Sequence, residues 1–133
     1  VSWSGMPIEK KVTITSQHGQ LEMHTFTYVQ QDTVYAVSYV DYPATLDVDK
    51  ALDGARDGML SNTKGKLINE RTISLDKYSG RELLVDSPNG MSTLLGRTFI
   101  ANNRVYQVHV VKSKGENVAN EYQFLDSFRI SEK

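Results

Sequence analysis

Three arginines stand among strand-forming apolar residues between Tyr78 and Val111: Arg81, Arg97 and Arg104. A guanidinium in such company pairs with a carboxylate, lies along a sheet rim with its stem buried, or receives an anion. On the two-residue period of a strand, Arg81 shares a side with Leu83 and Val85, and Arg97 shares one with Leu95 and Phe99. These two are the candidate anion-binding pair. A salt bridge across neighbouring strands is the favoured competing reading, with Glu82, Asp86, Glu70 or Asp57 as partner, because buried charges are generally paired. Arg104, beside a turn, reads as exposed.

The other chemistry-bearing residues are scattered. His18, His24 and His109 fall in three segments, without H-x-x-x-H or H-x-H spacing and without a nearby carboxylate cluster. Zinc needs convergent ligands, so no metal site is expected, although His24 and His109 could meet across strands. Tyr39 shares a strand side with Tyr35, and Tyr42 ends the same strand beside Pro43. Tyrosine packs its ring and keeps a polar tip wet, which suits an interface. Asp41, Tyr42 and the start of the following helix are the candidate partner-facing rim. Arg97, His109 and Tyr39 make the rival candidate, a pocket between helix and sheet for an anionic small molecule or weak catalysis. Asp53, Arg56 and Asp57 read as a solvated helix face with a local i, i+3 pair. No Gly-rich phosphate loop, G-x-S-x-G, dinucleotide fingerprint or calcium loop occurs. No catalytic residue or cofactor is therefore expected.

The elements that must position these residues alternate in a regular way. "KKVTITSQ" (10–17), "QLEMHTFTYV" (20–29) and "TVYAVSYVDY" (33–42) read as three strands of an antiparallel meander. In the second, Leu21, Met23, Thr25 and Thr27 share one side, and Glu22, His24, Phe26 and Tyr28 the other. A helix follows, capped by Asp47, with Val48, Ala51, Leu52, Ala55 and Met59 as one apolar stripe. Gly54 and Gly58 are costly inside a helix, so close approach to a sheet face is their expected reason. Strands resume at 66–75, 80–86, 92–101 and 104–112, with "SPNG" and "NN" as hairpin turns. A second helix over 117–125 carries Val118, Tyr122 and Leu125, and Phe128 and Ile130 return to strand alternation.

Composition limits what such a domain does. Hydrophobic residues make up 39% of the 133, enough for one folded core rather than a disordered chain. With 15 basic against 16 acidic side chains, the chain lacks the positive footprint of a nucleic-acid binder. The absence of cysteine removes disulfides, thiolate catalysis and cysteine zinc sites. No apolar run reaches the ~18 residues of a membrane span. The chain begins at Val1 rather than methionine, consistent with a cleaved signal peptide or an omitted anchor.

The set "YAVSYVDYP", "ALDGARDGML", "GKLINERTISL", "YSGREL" and "NNRVYQVHV…FLDSFRI", spanning roughly Thr33 to Ile130, resembles uncharacterised bacterial proteins of the PsbP-like α/β/α sandwich class. Ser79 departs from the proline that often precedes "GREL" in that group, and the N-terminal "VSWSGMPIEK" is less typical. The resemblance implies an α+β single domain across 1–133, with a curved, largely antiparallel sheet of six or seven strands flanked by two helices. It also implies a non-enzymatic role. Better-known members include the lumenal PsbP subunit that assists the oxygen-evolving centre and a factor that binds a nuclear-transport GTPase. The bacterial look-alikes are often exported or membrane-tethered. The expectation is a non-catalytic binding or assembly module that docks a protein partner outside the bacterial cytoplasm. No active-site motif comes with the group.

Overall fold

β-branched and aromatic residues at alternate positions, cut by tight turns, give this chain most of its structure. The computed structural model describes residues 6–16, 19–30, 33–43, 46–113 and 121–128. Its elements are β1 (Ile8–Ser16), β2 (Gly19–Gln30), β3 (Thr33–Asp41), α1 (Val48–Thr63), β4 (Lys66–Leu75), β5 (Tyr78–Asp86), β6 (Ser92–Ala101), β7 (Arg104–Ser113) and α2 (Glu121–Asp126). The turns His18-Gly19 and Gln30 to Asp32 lie partly outside the described residues.

Turn chemistry sets the hairpins. Asn102 takes a φ of 58° between β6 and β7, and Asp76 takes 54° between β4 and β5. Short polar side chains tolerate that left-handed region better than most. Because Asp76-Lys77 alone closes its hairpin, β5 begins at Tyr78 rather than at the expected Gly80. Between β5 and β6, Asn89 Oδ1 accepts from the Met91 amide at 3.0 Å and the Ser87 hydroxyl at 2.7 Å.

The seven strands form one sheet in the order β1-β2-β3-β7-β6-β5-β4, and every adjacent pair is antiparallel. Two meanders, β1–β3 and β4–β7, therefore join along the β3–β7 seam. Helix α1 carries the chain from β3, in mid-sheet, to β4 at the far edge. The single domain is mostly strand.

The cross-strand register fixes two faces, since directly opposed residues point the same way. On one face α1 lies over β5 and β6, placing Leu52 against Ile100 and Val105, and Met59 against Leu83 and Val85. On the other, Phe124, Leu125 and Phe128 close over Tyr35, Val37, Leu95, Phe99, Val108 and Val110. Strands β1 and β2 extend beyond both helices. They leave Ile8, Val12 and Val29 at 69%, 48% and 57% exposure.

Two expectations need correction. Gly54 and Gly58 do not meet the sheet, since a Cβ at either would touch nothing within 4 Å. The close approaches occur instead at Gly65, Gly80 and Gly96; at Gly80 an added Cβ would sit 2.6 Å from the Phe99 ring. The helix needs no small residue at 54 or 58 because Leu52 and Met59 make its contact with the sheet. Of the helix expected over 117–125, the described part is Glu121–Asp126; its expected start at 117, with Val118, Ile130 and the side chain of Tyr122, lies outside the described residues. Phe128 does not start a strand. Its amide donates to the Leu125 carbonyl at 3.3 Å, and its ring stacks on Phe99 at 5.7 Å, so the end of α2 turns inward as a plug.

Candidate functional site

Arg81 and Arg97 cannot share an anion. Glu82, next to Arg81, is the cross-strand partner of Arg97, so the two arginines project from opposite faces of the sheet. Each is engaged by carboxylates on its own side. Arg81 donates to Asp53 of α1 and to Glu70 Oε2 at 3.2 Å. Arg56 reaches the same Glu70 at 3.3 Å and pairs with Asp57 at 3.0 Å. The Asp53–Arg56–Asp57 face is thus half of an ionic clasp between α1 and β4–β5, not merely a solvated surface. Asp53 is held below its ordinary value first by the Arg81 hydrogen bond.

On the α2 face, Glu82 lies between two guanidiniums. Arg71 Nε donates to it at 2.6 Å and Arg97 Nε at 2.8 Å, while Arg97 Nη1 continues to Asp126 of α2 at 2.7 Å. Glu82 is 7% exposed. Burial alone would raise its pKa, yet the Arg71 and Arg97 hydrogen bonds outweigh burial and hold the carboxyl below its usual range. Of the partners the sequence offered, Glu82 and Glu70 are used by these arginines. Asp53, read only as part of a solvated helix face, and Asp126, not singled out, become partners because the packing of the helices brings them close.

Arg104 is not an exposed turn residue. It grips Asp41 in a fork, at 2.6 and 2.8 Å, and lies 4.5 Å above the Tyr39 ring. Tyr39 in turn stacks on His24 at 4.6 Å, and His24 Nε2 lies 3.4 Å from Glu22. The candidate rim therefore divides. Asp41 and Tyr39 belong to this stack on the α2 face, with the Asp41 pKa lowered chiefly by its Arg104 hydrogen bond. Tyr42, just past β3, turns towards α1. Its amide donates to the Asn103 carbonyl at 2.8 Å, and Asn103 Nδ2 returns a bond to the Tyr42 carbonyl at 2.8 Å.

The trio Arg97, His109 and Tyr39 does not converge either. Tyr39 and Arg97 occupy the α2 face with β7 between their strands, whereas His109 points to the α1 face. Nor do His24 and His109 meet, being on opposite faces with β3 between them. His109 Nε2 is sealed from solvent without a hydrogen-bond partner among the described residues, and burial pushes the ring down to a pKa of about 4.

What the structure does assemble is a cleft of about 450 Å³ between the first half of α1 and strands β1, β2, β3 and β7. Met23, Val40, Val105, Ala51 and Ala55 supply apolar surface, while Tyr42, Asp47, Lys50, Ser38 and Gln107 bring polar atoms to it. Ser38 and Gln107 are direct cross-strand partners. They belong to a polar row that crosses the whole sheet on the α1 face: Lys10, Thr25, Ser38, Gln107, Thr98, Arg81 and Thr72. An apolar row, Val12, Met23, Val40, Val105 and Ile100, runs beside it. Neither Ser38 nor Gln107 reads as a site residue in sequence. Each is one polar position in a valine- and tyrosine-rich strand, and only the register aligns them.

Fold and cleft together define a single α+β domain with a fully antiparallel seven-strand sheet and two helices. No helix among the described residues is long and apolar enough to cross a membrane. Comparison with protein-family models, with curated proteins and with solved structures finds no match.

Proposed function

We propose that this chain is a non-catalytic binding or assembly module that docks a protein partner in the bacterial cell envelope, using the β1–β2 wing. One observation carries the reading: the wing reaches past both helices, ends in the free edge of β1, and presents Ile8, Val12 and Val29 to solvent on the α1 face. A nine-residue edge strand offers main-chain hydrogen bonds to an incoming strand, and the alternate apolar side chains offer it anchors. Exposed apolar surface of this kind marks interaction sites.

The non-catalytic part is supported by how the titratable groups are spent. Arg81, Arg97 and Arg104 are each committed to carboxylates, and the sheet separates His24 from His109. The PsbP-like α/β/α class and the extracytoplasmic location rest on the sequence resemblance, with the placement of one helix on each sheet face in their favour. A photo-crosslinking amino acid at position 12, in cells producing the native chain, tests the docking. Adducts to one discrete protein that disappear with Val29→Glu support the wing. Equal yields from position 12 and from position 72 on the opposite edge would refute it, and fractionation of the same cells checks the location.

A further inference from the structure

We infer that the cleft between α1 and the β3–β7 seam binds a small carboxylate with an apolar body, of the size of a medium-chain fatty acid. The inference is independent of the docking reading. Its volume, about 450 Å³, falls within the range of small-molecule sites. Most of the cleft surface is apolar, with Met23, Val40, Val105 and the alanines of α1 among its lining, so the ligand body must be apolar.

The polar requirement comes from the floor. Ser38 is 6% exposed and lines the cleft, and Gln107 lines it from the neighbouring strand. Neither side chain makes a hydrogen bond with another described residue. Their polar atoms are not among the solvent-sealed, unpartnered ones, so they stand open to the cleft, where a valine at either position would have continued the apolar pattern of its strand. A serine hydroxyl and a glutamine amide side by side can both donate to one pair of acceptor oxygens.

Charge complementarity selects an anion. Lys50 lines the same cleft from the first turn of α1 and has no ion pair among the described residues. The carboxylate of Asp47 lines the cleft as well, and it is used as the cap of α1, where Oδ1 accepts from the Lys50 amide at 3.0 Å. Beside the capping Asp47, the Lys50 ammonium and two neutral donors above an apolar bed match a carboxylate head on a hydrocarbon chain. A large polyanion would leave the alanine and valine surface facing charge.

Octanoate, titrated into the full chain at neutral pH and followed by amide NMR and calorimetry, tests this. The expected result is saturable binding, with shifts centred on Ser38, Lys50, Ala51 and Gln107. Octanol and octylamine should bind roughly tenfold or more weakly, as should octanoate to Lys50→Met, since each change removes a charge-assisted contact. Lys50 is exposed on the helix, so that variant retains the fold; Lys66→Met is the control and should bind as the parent does. Gln107→Leu should weaken binding without loss of the β-sheet circular dichroism signal. Absence of saturable binding by octanoate and decanoate, equal binding of octanol, or shifts that map elsewhere would each overturn the proposal.

Discussion

Replacing Glu82 with glutamine isolates the interaction that fixes α2 to the sheet. The carboxylate is buried between Arg71 and Arg97, but the two partners are unequal. Arg97 has a side chain only 13% exposed, whereas Arg71 is 54% exposed and can return to water. The loss therefore falls on Arg97, which keeps Asp126 as its charged partner at a position 67% exposed. Breaking a buried pair costs about 3–5 kcal/mol, and the surviving Asp126 contact reduces this to roughly 2–4 kcal/mol. For a chain of 133 residues each kcal/mol corresponds to about 4 °C, so the melting midpoint should fall by roughly 8–16 °C. The pH dependence gives a second reading. Glu82 titrates below its ordinary 4.5 in the folded chain, so the unfolded chain takes up its proton first as acid is added. Its contribution is complete above about pH 5 and drains away as pH falls through the folded pKa; Glu82→Gln should lack that loss. Urea denaturation followed by circular dichroism between pH 3 and 7 measures both. A variant within about 0.5 kcal/mol of the parent, or with the same acid slope, would refute the reasoning.

Other positions report on separate parts of the design. Gly80→Ala should destabilise by roughly 2–3 kcal/mol in urea denaturation, because the new methyl meets the Thr98 carbonyl and the Phe99 ring. Gly54→Ala, with open space around it, should instead stabilise by about 0.5–1 kcal/mol. His109 has a folded pKa of about 4 against an ordinary 6.5, so the unfolded chain protonates first; stability contributed above pH 6.5 should be lost as pH falls towards 4. That loss should reach about 2–3 kcal/mol and be missing from His109→Leu in the same denaturation series. Asn102→Ala removes the short polar side chain that eases the left-handed turn and should cost about 1 kcal/mol, whereas Asn102→Gly should fold as well as the parent by thermal melting.

Periodicity made the strands legible, because one buried face writes itself as alternation. β4 and β6 have the bounds expected from 66–75 and 92–101, and the faces of β2 divide as the spacing of Leu21, Met23 and Phe26 implies. Alternation is silent about which strand lies beside which. Nothing local marks β3 and β7 as neighbours, so the opposite facing of Arg81 and Arg97 and the pairing of Ser38 with Gln107 emerge only once the strand order is known. The helix glycines misled for a related reason. Composition shows that a helix tolerates small residues, but which side they occupy depends on the rotation set by Leu52 and Met59. The roles of Asp53 and Asp126 as partners of Arg81 and Arg97 were not legible because ion pairs between a helix and a distant strand leave no spacing to find.

The seam between the two meanders has a kinetic consequence. Each meander is stitched by short hairpins and can form quickly, but Asp41 must find Arg104 at a sequence separation of 63 before the halves unite. Zippering of β3 onto β7 is then the slow step of assembly. A backbone nick in the crossover that follows α1 would leave two fragments, each with an intact hairpin series, able to find one another and restore the sheet when mixed.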